Sequence, residues 1–256
     1  MTIEAKHISV GYGQSIIIDD TSMHIEEGKI NVIIGKNGSG KTTLFKALCK
    51  QLDPKAGIVC LNEIDIRGIK QTELAKQIGI LFQENFTPGG LTVRELVSYG
   101  RYAYTGMLNP MTKADWEAVD KALEVTGMLS FSSRDVSELS SGQRQMVWIA
   151  MLVAQEARYL FLDEPTTYLD LKNQFEVLEC LKMLKEKLGK TIVMILHDLN
   201  LAFQYADYVI MMKDWKLIQS GKTEDMINET LLSDAFDVNI KVVKADGRAY
   251  CIPANK

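Results

Sequence analysis

The fifteen residues Ile30 to Leu44 read Ile-Asn-Val-Ile-Ile-Gly-Lys-Asn-Gly-Ser-Gly-Lys-Thr-Thr-Leu, and they carry the densest chemical signal in the chain. Gly35 to Thr42 fits G-x-x-x-x-G-K-[ST], a loop whose backbone amides cradle phosphate groups. Glycines at 35, 38 and 40 let the backbone curl so that successive N–H groups face one anion. A helix opening at Lys41 adds the partial positive charge of its first turn. The Lys41 ammonium suits β- and γ-phosphates, and the Thr42 hydroxyl suits Mg²⁺. The candidate cradle therefore comprises Gly35, Lys36, Asn37, Gly38, Ser39, Gly40, Lys41, Thr42 and Thr43, with ATP and Mg²⁺ as the implied cofactors.

Two further groups of residues carry chemistry. Tyr159-Leu-Phe-Leu-Asp163-Glu164 is an apolar run ending in two carboxylates. Beside a phosphate loop, Asp163 suits Mg²⁺, usually through water, and Glu164 suits a general base that polarises an attacking water. Leu139-Ser-Ser-Gly-Gln143 precedes an apolar helical stretch, with Ser140 as its N-cap and its free N–H groups as a second anion site. A Ser-Gly turn before a helix is by itself a common cap. Its place 20 residues before Asp163 gives it weight.

These residues need elements to hold them. Ile3 to Val10, Ile16 to Ile18 and Met23 to Ile25 read as short strands joined by turns, which suggests an antiparallel sheet beside a parallel one. Ile30 to Ile34 is a buried strand, and Leu44, Phe45 and Leu48 recur at helical spacing. More strand follows at 58–61 and 64–66, and Ile78 to Phe82 is a buried strand ending at Gln83. From 84 to 140 no strand pattern appears. Thr87-Pro88-Gly89-Gly90 breaks the chain, Thr92 and Glu95 fit a capping box, and Trp116, Val119, Leu123 and Thr126 follow a helical period. The segment Tyr99 to Met111, rich in aromatics, Met and Gly, suits either a docking surface or an ordinary loop.

Strand–helix alternation then returns. Tyr159 to Leu162 and Thr191 to Leu196 are strands around a helix, Leu171 to Leu188, with Leu171, Phe175, Leu178, Leu181 and Leu188 on one face. A short helix at 199–205, strands at 208–212 and 216–220, a polar helix near 223–236 and a hairpin turning at Asp246-Gly247 complete the chain. The pattern predicts an α/β fold: a P-loop NTPase core with a mostly parallel sheet, spanning about 1–83 and 141–256, and a helical insertion over about 84–140. The N-terminal strands form an antiparallel β subdomain within it.

Composition narrows the classes. At 256 residues with 46% hydrophobic and 24% charged residues the chain is of ordinary globular make-up. A net charge of −4 without a basic run argues against nucleic acid as a partner. The longest apolar run, Met146 to Ala154, is nine residues, well short of the ~20 that span a membrane. The first residues lack the charged-then-apolar order of a signal peptide, and Cys49, Cys60, Cys180 and Cys251 are too far apart for CxxC pairs. A soluble chain of a reducing compartment is expected, with any membrane role exercised through a partner.

Taken together, the phosphate loop, Leu139 to Gln143 and Asp163-Glu164 resemble the nucleotide-binding subunits of ABC transporters over the full chain. The family signature Leu-Ser-Gly-Gly-Gln stands here as Leu139-Ser140-Ser141-Gly142-Gln143, with Ser replacing the first Gly. The resemblance implies roles for further residues. Tyr12 would stack on adenine, Gln83 would sense Mg²⁺ and the membrane partner, Asp170 belongs to the loop that crosses the dimer interface, and His197 would contact the γ-phosphate. His7 and His24 have no such match and are expected to be structural. The resemblance further implies a head-to-tail homodimer, with ATP between the phosphate loop of one copy and Ser140 to Gln143 of the other. Integral membrane permease subunits and, indirectly, an extracytoplasmic substrate-binding protein would be the other partners. The chain would sit peripherally on the cytoplasmic face of the membrane.

Finer stretches resemble one branch. Trp148-Ile-Ala-Met, Ala154-Gln155, Pro165-Thr-Thr-Tyr-Leu-Asp170, His197-Asp-Leu-Asn-Leu and Cys251-Ile-Pro are similar to ferric-siderophore importer ATPases. Haem and cobalamin importers share the His197-Asp-Leu-Asn stretch, and a soluble single-cassette ATPase outside transport is the other alternative. Small GTPases and kinases fit less well, because they lack the Ser140 to Gln143 turn and the late histidine.

Overall fold

The computed structural model describes residues 2–85, 89–106, 109–245 and 247–254. The described strands are β1 (Ile3–Val10), β2 (Ile18–Ile25), β3 (Ile30–Gly35), β4 (Ala56–Leu61), β5 (Ile64–Asp65), β6 (Ile78–Leu81), β7 (Tyr159–Asp163), β8 (Thr191–Ile195), β9 (Tyr208–Lys213), β10 (Lys216–Lys222), β11 (Ile240–Ala245) and β12 (Arg248–Pro253). The described helices are α1 (Lys41–Leu48), α2 (Gln71–Ala75), α3 (Val93–Ser98), α4 (Tyr102–Thr105), α5 (Lys113–Val125), α6 (Ser141–Ala154), α7 (Leu171–Leu188), α8 (Leu199–Tyr205), α9 (Thr223–Met226) and α10 (Glu229–Phe236). They gather into two compact units, one built from residues up to Ile69 and from Thr191 onward, the other from Lys70–Lys190.

In the first unit β3 lies between β8 and β9, parallel to both, and β10 adds an antiparallel edge on β9. Every residue of β3 and β8 is buried, and both run as nearly continuous apolar stretches rather than alternating ones. The one polar residue inside β3, Asn31, is fully satisfied. Its amide donates to the carbonyls of Glu26, Lys29 and Ile192, and its oxygen accepts from the Glu26 N–H at 2.8 Å. The Asp207 carboxylate accepts from the Ile30 N–H at 2.8 Å, so the start of the phosphate-loop strand is tied down by side chains.

A second sheet of this unit, in the order β2-β1-β4-β5, is antiparallel, as the short N-terminal strands suggested. One detail differs. The two short strands expected at 16–18 and 23–25 are a single strand, β2, because Asp19, Asp20, Ser22 and His24 lie on its exposed face while Ile18, Thr21, Met23 and Ile25 point inward. Bulges interrupt the β1–β2 register, and His7 and Asp20 bear the left-handed backbone that such irregularities produce, with φ of 50° and 41°. His7 and Asp20 meet at 2.8 Å on the surface, and His24 meets Glu26 at 3.2 Å. The polar helix expected at 223–236 is two helices, α9 and α10, separated where Asn228 caps the second by accepting from the Leu231 N–H. β11 and β12 pair as the expected hairpin, with Asp246 of its turn outside the described residues.

The second unit pairs β6 with β7 in parallel and packs α3, α5 and α6 against one another. The capping box expected at Thr92 and Glu95 is present, and Thr112 with Asp115 makes another at α5. Thr87 and Pro88 of the expected break, and Met107 and Leu108 of the aromatic segment, lie outside the described residues. In α7 the buried face is Val177, Leu178, Cys180, Leu181 and Leu184. Leu171 and Leu188, expected on that face, stand at the helix ends and are exposed. All four cysteines are free and buried, and burial pushes the Cys180 thiol up to about 12. Among the described residues no helix is long and apolar enough to cross a membrane.

Candidate functional site

The phosphate loop lies in the first unit, between β3 and α1. Gly35, Gly38 and Gly40 all have positive φ, at 148°, 78° and 98°. At Gly35 the need for glycine is also steric, since a Cβ would stand 2.2 Å from the Met212 carbonyl oxygen and 2.8 Å from Ser39 Oγ. Inside the curl, Lys41 is buried and its ammonium donates to the carbonyls of Gly35 and Lys36, each at 2.8 Å. Ser39 is buried as well, and its hydroxyl has no hydrogen-bond partner among the described residues. An orphaned buried hydroxyl beside a buried ammonium and three left-handed glycines fits an anion that supplies the missing acceptors. ATP phosphates have that chemistry.

Lys36 and Asn37, named with the loop, are exposed. The Lys36 ammonium reaches the Asp237 carboxylate at 2.6 Å, and Lys213 reaches the other oxygen of that carboxylate at 3.2 Å. These cations hold the Asp237 carboxyl below the usual carboxylate range, Lys36 most strongly. The Trp215 indole N–H donates to the Gly38 carbonyl at 2.9 Å. Thr42 is half-buried and Thr43 buried on the first turn of α1. His197 follows β8 and is exposed, next to Asp198, which caps α8 through the Asn200 and Leu201 N–H groups. Tyr12 is 48% exposed in the turn after β1, a free face for a stacking partner.

In the second unit, Asp163 is the buried last residue of β7 and Glu164 follows it. Glu164 is left-handed at φ 52°, a conformation costing a non-glycine residue about 1–3 kcal/mol that persists where the surroundings enforce it. Here they do. Its Oε2 accepts from Gln83 Nε2 at 2.9 Å and from Thr167 Oγ1 at 3.0 Å. Gln83, expected from the resemblance to sense Mg²⁺ and the membrane partner, here bonds Glu164, whereas Thr167 had no sequence signal beyond its place three residues after Glu164. The Pro165–Asp170 loop is pinned by Gln145 Nε2 on the Pro165 carbonyl and by Gln174 Nε2 on the carbonyls of Thr166 and Leu169.

Ser140 caps α6 in a capping box, its hydroxyl accepting from the Gln143 N–H at 3.3 Å and its own N–H donating to Gln143 Oε1 at 3.0 Å. Ser141, which replaces a family glycine, is exposed, and its φ is not positive, so the position demands no glycine here. Gly142 does. A Cβ there would lie 2.3 Å from Asn173 Cγ and Oδ1. Asn173 in turn holds Asp170, whose carboxylate accepts from the Asn173 backbone N–H at 2.8 Å and from its amide at 2.9 Å. Gly142, Asn173 and Asp170 are therefore one packed group, and nothing in the local sequence announced Asn173.

Comparison with known proteins places this arrangement. A family model described as ABC transporter matches residues 18–167. The petrobactin import ATP-binding protein FpuD of Bacillus anthracis is 43% identical over 256 residues, covering 99% of this chain and 94% of that one. The probable siderophore transport system ATP-binding protein YusV of Bacillus subtilis is 43% identical over 253 residues, covering 98% and 92%. Among solved structures, dimeric MJ0796, a bacterial ABC transporter cassette, is 29% identical and superposes with a TM-score of 0.74, the match covering 86% of this chain and 98% of that one. The chain belongs to the ABC transporter family, as one of its ATP-binding, ATP-hydrolysing proteins.

Proposed function

We propose that this chain is the motor of an importer for ferric siderophores, hydrolysing ATP at the cytoplasmic face of the membrane to drive permease subunits. The cargo reading is supported by the petrobactin import named for FpuD and the probable siderophore transport system named for YusV, each similar over nearly its whole length. The observation that carries the hydrolytic reading is the Glu164 carboxylate, fixed by Gln83 and Thr167 in a strained backbone position.

Phosphates bind the amides of Gly35 to Thr43, where Lys41 gives up its two carbonyl partners for β- and γ-oxygens and the Ser39 hydroxyl gains an acceptor. Thr42, Asp163 and Gln83 are the residues that would hold Mg²⁺. When bound, that ion neutralises charge on the transferring phosphoryl group. Glu164 accepts a proton from the attacking water while Gln83 and Thr167 keep its oxygen in place. His197 contacts the γ-phosphate and Tyr12 stacks on adenine. Ser140, Ser141, Gly142 and Gln143, with Asp170, face the nucleotide of a second copy, so that a homodimer holds two sites. Tyr168 and Leu171 flank Asp170 with 86% and 68% of their surface exposed, which suits a segment covered by another copy. The dimeric structure of MJ0796 supports the same assembly. An extracytoplasmic binding protein would deliver cargo to the permease without touching this chain.

The test is uptake of labelled iron in cells lacking the chain, offered as hydroxamate siderophores, catecholate siderophores and haem, with labelled cobalamin alongside. The reading expects loss of siderophore iron, restored by the wild-type gene. Loss confined to haem or cobalamin would move the cargo to that class, and unchanged uptake of all four would overturn import of these cargoes.

A further inference from the structure

The tip of the β9–β10 hairpin is the two-residue turn Asp214-Trp215, with φ of 44° and 65°. Turns of this hand favour Asn-Gly or Asp-Gly, because only glycine takes the second left-handed position without strain. A tryptophan there needs a reason, and packing does not supply one, since 54% of Trp215 is exposed. Its polar contact is the indole N–H on the Gly38 carbonyl at 2.9 Å. A cavity of about 380 Å³ opens between them, lined by Lys36, Asn37, Gly38, Ser39, Asp214 and Trp215.

A trans peptide sets its C=O and N–H on opposite sides, so a Gly38 carbonyl turned out to Trp215 turns the Ser39 N–H inward, where it meets the Lys36 carbonyl at 3.2 Å. An outward carbonyl at a glycine of φ 78° is held there only as firmly as its acceptor contacts hold it. We propose that Trp215 is a positioning residue for ATP binding: its indole locks the Gly38 peptide so that the amides that follow stay turned toward the phosphates. The proposal rests on the nucleotide reading of the loop. Lys36, tied to Asp237 at the end of α10, anchors the other side of the same curl. The phosphate loop is thereby braced from two elements that follow it by 177 and 201 residues.

The experiment measures MgATP affinity, kcat, KM and the melting temperature of nucleotide-free protein for three full-length variants. Trp215→Phe keeps a ring and loses the donor. Trp215→Gly removes the ring and suits the left-handed turn, so it folds at least as well as wild type. Both should weaken MgATP binding and raise KM about three- to tenfold, the size of one neutral hydrogen bond, with kcat within twofold and no fall in melting temperature for Trp215→Gly. Lys41→Ala separates the two readings. If it loses binding while both Trp215 variants bind within twofold of wild type, the positioning role is overturned and the nucleotide site stands. If Lys41→Ala binds as wild type does, the nucleotide reading of the loop falls, and the Trp215 proposal with it. A Trp215→Gly protein that melts lower and loses kcat and affinity together would make the residue merely structural and also overturn the proposal.

Discussion

Replacing Arg101 by Met should cost about 3–5 kcal/mol, because the arginine compensates a carboxylate that has left water. The side chains of Arg101 and Asp115 are each only 7% exposed, and they meet at 3.0 Å through Arg101 Nε and Asp115 Oδ1. Asp115 Oδ2 is committed to the first turn of α5, accepting from the Thr112 N–H at 3.0 Å and its hydroxyl at 2.6 Å. Arg101 also donates to the Ala154 carbonyl at the end of α6 and to Glu156, whose exposed side chain contributes little. Methionine lacks the guanidinium that lies 4.0 Å over the Tyr104 ring, and it leaves Asp115 Oδ1 and the Ala154 carbonyl buried without that donor. The acid dependence follows in sign. The Thr112 bonds, and after them Arg101, hold the Asp115 carboxyl below its ordinary value of 3.8. That contribution is present above the unfolded value and lost as pH falls through the folded one. In the variant the Thr112 bonds remain but the Arg101 share of the lowering is gone, so the carboxyl moves up from its wild-type position and the gap between the proteins should narrow below about pH 5. Denaturant unfolding at pH 7 and pH 4 measures this, with Arg101→Met/Asp115→Asn expected to recover most of the loss. A loss under about 1 kcal/mol at pH 7, or a gap that widens in acid, would refute the reasoning.

Two further substitutions test the site from each unit. Lys41→Ala removes the buried ammonium beside the Gly35 and Lys36 carbonyls and should lower MgATP affinity at least tenfold by calorimetric titration; unchanged affinity would contradict the phosphate role. Gly142→Ala places a methyl 2.3 Å from the Asn173 side chain, which must swing away and drop its 2.9 Å bond to Asp170. The fold should survive with a loss of about 1–3 kcal/mol. ATPase activity should fall well beyond that loss, and Asn173→Ala should show a similar fall, whereas wild-type turnover in Gly142→Ala would detach this packing from function.

What could be read from sequence was what depends on neighbours in sequence. The glycines of the phosphate loop, the capping box at Thr92, the N-cap at Ser140 and the apolar run ending in Asp163-Glu164 are local patterns with local causes. The misread elements are those whose register depends on another strand or helix. β2 broke into two because Asp19 and Asp20 interrupt its apolar residues, and only pairing with β1 shows that they sit on its open face. The α7 face shifted because Leu171 and Leu188 keep the helical period but reach past its packed turns. Ser141 looked like a weakened glycine, yet the backbone there is right-handed and exposed, and the crowded glycine is Gly142. Trp215 and Asp237 carried no signal because their partners in the phosphate loop lie far away in the chain.

The central claim is that this protein turns over ATP with Glu164 as the base, and the most direct measurement is steady-state hydrolysis by Glu164→Gln. The glutamine oxygen can still accept from Gln83 and Thr167, so the substitution removes the proton acceptor and leaves its setting. Hydrolysis should fall at least a hundredfold while MgATP affinity stays within about threefold of wild type. Turnover within tenfold of wild type would show that another group takes the proton.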